Sequence, residues 1–262
     1  MQNIFDSHAH YDDPVFDPDR ETLLQRLNQE GVCHIINVGA DLEGSKASLA
    51  LAQKYPFIHA SVGVHPGSVK EAAFDDLTQL EALAIQERVV AIGEIGLDYY
   101  YEDNAPREVQ KEFFEAQLQL AQRHGLPVII HDREAHGDTM ELLRKYRPKG
   151  VVHCFSGSVE MAKEIISLGM YIGLGGAVTF KNARVPVEVA AAIPLSALVV
   201  ETDAPYMAPV PFRGKRCDSS MIAYTAEKIA LARTEASGIT VTPQEVLLAA
   251  KENAEKLFQI TC

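Results

Sequence analysis

The feature that most constrains this chain is an alternation that repeats along its whole length. Short runs rich in Val, Ile and Leu occur at Asn3–Ser7, His34–Val38, Ile58–Val64, Val89–Ile95, Pro127–His131, Gly150–His153, Tyr171–Leu174 and Leu198–Thr202. Their length and β-branched content are those of buried strands. Between them lie segments with helical spacing. Val109, Phe113, Ala116 and Leu120 recur at intervals of four, three and four, which puts one apolar stripe on a helix that Gly125 and Pro127 then bring to a stop. Asp17-Pro18 reads as an N-cap followed by proline at the first helical position, opening a helix through Leu23, Leu24 and Leu27 that stops at Gly31. Strands joined by crossover helices must pair in parallel. Eight such units close into a (β/α)8 TIM barrel more naturally than into an open doubly wound sheet, and no glycine-rich dinucleotide or phosphate loop competes with that reading. One more helix is expected at Pro243–Phe258, after the last strand. The 262 residues contain no Ser- or Pro-rich linker and no fixed-period repeat, so residues 1–262 read as a single α/β barrel domain with an extra C-terminal helix.

Composition narrows the functional classes. With 47% hydrophobic and 23% charged residues, disorder, collagen and coiled coil are excluded. A net charge of −12 argues against a broad basic surface, and so against sequence-independent coating of nucleic acid, while leaving room for a local phosphate site. Cys33, Cys154, Cys217 and Cys262 are scattered without a CxxC pair, which suggests thiols in a reducing compartment rather than a zinc cage or a disulfide framework. The opening MQNIFDSHAH lacks the basic and apolar regions of a secretory signal. Ile165–Phe180, the longest uncharged run, has 16 residues interrupted by four glycines, too short to span a bilayer. A cytoplasmic protein without membrane association or an obligate protein partner is expected.

Active sites in (β/α)8 barrels lie at the C-terminal ends of the strands, where packing rarely calls for histidine or carboxylate. This chain carries His8 and His10 at the end of the first strand, Glu94 at the fourth, His131 at the fifth, His153 at the sixth and Asp203 at the eighth. The one-residue spacing of His8 and His10 sets both imidazoles on one strand face, where a single metal ion can sit between them. The spacings are 84 residues from His10 to Glu94, then 37, 22 and 50. Ligands so far apart exclude a zinc-finger type of site and describe a catalytic centre gathered by the barrel.

Several ordered motifs make the chain resemble the TatD-like metal-dependent hydrolases, relatives of the amidohydrolase superfamily for which nuclease activity is described. They are DSHAH (Asp6–His10), GVHP (Gly63–Pro66), GEIGLDYY (Gly93–Tyr100), IHDR (Ile130–Arg133), HCFSG (His153–Gly157), ETDAPY (Glu201–Tyr206), RGK (Arg213–Lys215) and NAEKLF (Asn253–Phe258). The resemblance implies two divalent metal ions. His8 and His10 would hold one with Asp203, His131 and His153 the other, and Glu94 would bridge them. The chemistry of the residues agrees, since an anionic oxygen between two cations damps their repulsion and neutral imidazoles fill the outer positions. Asp203 is then placed to take the proton of the attacking water, with Glu94 the other catalytic carboxylate. Imidazole ligands suit Zn, Mn, Fe, Co or Ni better than Ca, and Mg fits phosphate chemistry.

Beyond the metal ligands the resemblance places His65 near a substrate phosphate. Arg133, Arg213 and Lys215, with Arg216, are cations on loops suited to clamp phosphate oxygens. Glu201 could orient a metal ligand from behind. Arg144, Lys145, Arg147 and Lys149 precede the sixth strand and belong to the opposite, solvated face. The chain departs from many relatives at Arg216-Cys217-Asp218-Ser219, in place of an Asn-Glu-Pro pattern, so a different substrate-facing loop is expected. Ala9, where many relatives have Cys, should point away from the metals. The leading functional expectation is a deoxyribonuclease or other phosphodiesterase acting on a DNA end. The alternative is an ester or amide hydrolase, such as an aminoacyl-tRNA deacylase or a small-molecule amidohydrolase, because an activated water attacks carbonyl carbon equally well.

Overall fold

The computed structural model describes residues 3–260, so Cys262 lies outside the described residues. Eight parallel strands follow one another in chain order: β1 (Ile4–Ala9), β2 (Val32–Val38), β3 (Ile58–Val62), β4 (Val89–Asp98), β5 (Val128–Arg133), β6 (Gly150–Val152), β7 (Tyr171–Leu174) and β8 (Leu198–Val200). Helices connect or follow them: α1 (Arg20–Gln29), α2 (Leu42–Lys54), α3 (Asp76–Ala84), α4 (Arg107–His124), α5 (His136–Tyr146), α6 (Val159–Ser167), α7 (Arg184–Ala192), α8 (Ile222–Ser237) and α9 (Pro243–Phe258). The ring closes just past the end of β8, where the Asp203 amide donates to the His8 carbonyl (2.9 Å) and the His10 amide to the Ala204 carbonyl (2.7 Å). The fold is therefore a (β/α)8 barrel.

Two apolar layers follow from strand alternation. Outward-facing residues such as Ile35, Val62, Ile92 and Ile130 pack under the helices. Inward-facing Phe5, Ile36, Val38, Ala91, Ile129, Val151 and Val199 fill the barrel, and α9 plugs its N-terminal mouth with Ala254, Leu257 and Phe258. The Phe258 ring lies nearly parallel to that of Phe5, 6.2 Å away. Burial of such a ring contributes roughly 1.5–3 kcal/mol. Thr242 and Glu245 start α9 as a reciprocal capping box with Pro243 behind the cap, so this helix begins where expected.

Element ends differ from expectation in ways that bear on the site. β4 runs on to Asp98, so Glu94 stands in the middle of a strand rather than at its end. β8 stops at Val200, and Asp203 lies beyond it with φ +61. Between Asp6 and Ala9, β1 takes three steps where β2 takes two. One extra residue of this kind bends a strand and re-aims its side chains, and here it lies in the stretch from the buried Asp6 to Ala9, which carries His8. The first helix opens at Arg20 after Asp19, not at Pro18. Asp17 instead closes a short turn, Pro14–Phe16, whose own cap is the Asp13 side chain.

Candidate active site

Six side chains, on five strands or on the residues just after them, meet at the C-terminal end of the barrel. His8 Nε2 and His10 Nε2 are 3.0 Å apart, and Glu94 Oε2 lies 3.3 and 3.7 Å from them. Asp203 Oδ1 approaches the same two nitrogens at 3.8 and 3.5 Å. The other Glu94 oxygen, Oε1, lies 2.8 Å from His131 Nδ1 and 2.7 Å from His153 Nε2. Glu94 thus faces two groups of nitrogens, one per carboxylate oxygen. Gly96 lets β4 come this close to β5, since a Cβ there would lie 2.0 Å from the His131 carbonyl oxygen and its φ of +145 disfavours any side chain.

Partners on the far side fix two of the rings. His10 Nδ1 is hydrogen-bonded to the Val38 carbonyl (2.8 Å), and His131 Nε2 pairs with Asp98 (3.2 Å). Such contacts orient a metal-binding imidazole and raise its basicity. Asp98 was missed in the sequence, although Glu94, Gly96 and Asp98 follow the two-residue alternation of one strand face. Asp6 was missed as well. Fully buried, it accepts from Thr202 Oγ1 (2.6 Å), Ser219 Oγ (2.7 Å) and the amides of Thr202 and His8. Burial pushes its carboxyl up to about 7 against the pull of these donors. Asp6 ties β1 to the segment that carries Asp203.

The charge balance calls for cations. Burial acts to raise Glu94, but the imidazoles around it, His153 foremost, outweigh it and hold the carboxyl well below its usual range. Asp203 is held low in the same way, burial being overcome by His10, His8 and His153. Burial also acts against charge on the imidazoles, yet Asp203 and Glu94 lift His10 to about 9, while Asp98 and Glu94 raise His131. Glu94 and Glu201 raise His153 well above its usual value. Protons stand where anionic carboxylates demand positive charge, and divalent ions displace protons from such donor sets. Clusters able to hold an ion include His8, His10 and Glu94, and also His65, Glu94 and His131. The residues therefore fit metal binding.

His65 joins the second cluster in space but is set up as a donor. Its Nδ1 accepts from the Gly67 amide at 2.9 Å, which leaves the proton on Nε2, 3.6 Å from Glu94. Burial lowers His65 to about 3, so the ring is neutral. A cavity of 740 Å³ opens above these groups, lined on one side by Asp12, Asp13 and Tyr206 and on another by Arg133 and Glu134. Arg133 stacks over Tyr100 at 3.9 Å and donates to the Tyr101 hydroxyl.

The remaining cations lie elsewhere. Arg213 stacks on Phe180 (4.0 Å), Lys215 is exposed, and neither is among the cavity-lining residues. Arg216 is bound to Asp19 through two nitrogens at 2.7 Å. Cys217 is buried, Asp218 caps a short turn and Ser219 bonds Asp6, so residues 216–219, expected to alter a substrate-facing loop, instead support the barrel from outside the cavity. Ala9 is buried away from the site, as its place between the histidines implied. Glu201 lies beneath His153, its Oε1 accepting from the Cys154 amide.

A parallel barrel with imidazoles and carboxylates converging at the C-terminal strand ends defines a metal-dependent hydrolase. Residues 5–259 match the protein family described as TatD related DNase. The metal-dependent hydrolase YabD of Bacillus subtilis is 40% identical over 260 residues, covering 98% of this chain and 99% of that protein. The crystal structure of YjjV, a TatD homologue from Escherichia coli, superposes with a TM-score of 0.91 at 35% identity, over 99% of both chains. A TatD family hydrolase from Entamoeba histolytica gives 0.85 at 26% identity, covering 100% of this chain and 99% of that one. The chain belongs to the TatD family. Among the described residues no helix is long and apolar enough to cross a membrane.

Proposed function

We propose that this hydrolase cleaves phosphodiester bonds at the end of a DNA strand, using two divalent ions. His8, His10 and Asp203 would hold one ion, His131 and His153 the other, with Glu94 between them. Ions bound there would supply Lewis acidity and lower the pKa of a coordinated water toward neutrality. The observation that carries the substrate class is the rim at Arg133. Its guanidinium lies over the exposed Tyr100 ring and donates to the hydroxyl of exposed Tyr101, an arrangement suited to a phosphate and the base beside it. His65 Nε2–H supplies a neutral donor for a phosphate oxygen. Asp203, which is held ionised, accepts the proton of the attacking water.

A second reading, an ester or amide hydrolase, draws on the opposite wall. Asp12 and Asp13 would repel a phosphate chain running past them, which restricts any nucleic acid to a short single-stranded end and equally suits a small substrate. The test is to assay the metal-loaded protein against labelled single-stranded DNA, a charged tRNA and a generic phosphodiester. Release of nucleotides from DNA ends is the expected result. Turnover of the charged tRNA alone would overturn it. A cytoplasmic location belongs to the same reading, supported by the cysteines at 33, 154 and 217 remaining thiols.

A further inference from the structure

When a neutral imidazole binds an ion through one nitrogen, the other nitrogen must carry the ring's proton and needs an acceptor if it is buried. His10 has the Val38 carbonyl for this purpose and His131 has Asp98. His8 and His153 have no such individual partner. Their rings stack face to face, with centroids 3.9 Å apart and planes within 12°. Both Nε2 atoms lie on the Glu94 side, 3.3 Å from Oε2 and 2.7 Å from Oε1. Both Nδ1 atoms are buried without a hydrogen-bond partner among the described residues, and so is Oε2 of Glu201. One atom each of His8, His153 and Glu201 form a group within 4.8 Å. His153 Nδ1 is 3.6 Å from Glu201 Oε1.

Glu201 is itself fully buried, and among the described residues its ion-pair partner is His153, with no arginine or lysine against it. A carboxylate in that position persists only if N–H groups surround it. The Cys154 amide supplies one. His153 Nδ1 lies 3.6 Å from the carboxylate, and His8 Nδ1 is the other buried ring nitrogen of the stacked pair that lacks a partner among the described residues. We propose that Glu201 is the common acceptor for the Nδ1–H groups of His8 and His153. A single carboxylate then orients one histidine from each ion site and couples the filling of the two. The stacked pair is held between two carboxylates, Glu94 on its Nε2 edge and Glu201 on its Nδ1 edge. Glu201 acts as a positioning residue, and this role rests on the two-ion reading above.

Zn²⁺ titrated calorimetrically into metal-free wild type, Asp98→Asn and Glu201→Gln protein tests it. Loss of an outer hydrogen-bond partner typically weakens metal affinity about 10- to 100-fold. Asp98→Asn should weaken one equivalent of Zn²⁺ by that factor, and Glu201→Gln should weaken both, because an amide offers a single acceptor oxygen to two donors. A wild type that takes only one ion overturns the two-ion reading and this proposal with it. Two ions in wild type with only one loosened in Glu201→Gln overturns the proposal alone. If Glu201→Gln does not fold, proton–nitrogen NMR of the zinc-loaded wild type decides. Downfield Nδ1–H protons on both His8 and His153 are expected, and an Nδ1 without a proton on either ring overturns the assignment.

Discussion

The barrel buries a histidine pair at each end, and the two pairs behave differently. At the C-terminal end His8 and His153 stack beneath Glu94, whose carboxylate contacts both. At the N-terminal end His34 and His59 lie 3.3 Å apart, Nδ1 to Nε2, between β2 and β3 and close to α9. Burial pushes both pairs toward neutrality. What differs is the neighbours. His59 is lowered to about 3 by burial and then by Arg88 and His34, with no carboxylate opposing them. Glu255 pulls His34 upward, but burial outweighs it. At the other end Glu94 and Glu201 reverse the effect of burial on His153, whereas burial and the neighbouring His153 keep His8 lowered in spite of Glu94. Buried imidazoles alone make a neutral, packed pair, and buried carboxylates among them make a site that demands cations.

The contrast predicts that carboxylates at the C-terminal end carry the largest effects. Asp203→Asn should lower kcat by about 10²- to 10⁴-fold, the usual contribution of a positioned base, with KM little changed because Arg133 and His65 would still meet the phosphate of the proposed substrate. Rates on a generic phosphodiester must be compared at full metal occupancy, since the substitution also removes a ligand charge. A fully loaded variant with near wild-type kcat would make Asp203 a ligand only. Glu94→Gln should lose both ions together, because an amide carries no charge and offers one good ligand atom to two groups of imidazoles. Elemental analysis beside wild type measures this, and retention of one ion would show that Glu94 serves a single site.

A smaller effect is expected at the rim. Arg133→Ala should raise KM roughly 10-fold with kcat nearly unchanged, the loss of one charge-assisted hydrogen bond made equally to substrate and transition state. The same truncation at Arg213 or Lys215 should leave KM within error. If Arg213→Ala matches Arg133→Ala, substrate reaches well beyond the cavity.

These differences mark where the sequence was readable. The strands were legible because fully buried runs of Val and Ile allow few other readings, and the histidines stood out because packing has no use for them at strand ends. Asp98 was hidden because the Val- and Ile-rich run stops at Ile95, although β4 continues to Asp98. Asp6 was hidden because its partners, Thr202 and Ser219, are 196 and 213 residues away. Arg133, Arg213 and Lys215 looked alike in sequence, since position after a strand says which end of the barrel a residue occupies and nothing about which way its side chain turns. Arg133 turns toward Tyr100, and Arg213 toward Phe180.

The N-terminal pair offers the smallest test, and it addresses the comparison directly. His59 has an ordinary value near 6.5 in the unfolded chain and about 3 in the folded one. Above pH 6.5 the ring is neutral in both states and its contribution to stability is fully present. Below 6.5 the unfolded chain takes up a proton that the folded chain refuses, so stability falls as pH falls, by about 1.4 kcal/mol per pH unit for this ring, until pH nears 3. His59→Asn removes that slope whatever it does to absolute stability. Urea unfolding of metal-free protein at pH 7.5, 6 and 5 should show wild type losing about 1–2 kcal/mol more than the variant across the range. The titrations of His8 and the other site histidines are common to both proteins and cancel in the difference. Metal content and turnover of His59→Asn at pH 7.5 should match wild type, because no carboxylate lies among the groups that act on His59. Equal slopes would mean that the pair can accept a proton after all, and lost metal would mean that the two ends of the barrel are not independent.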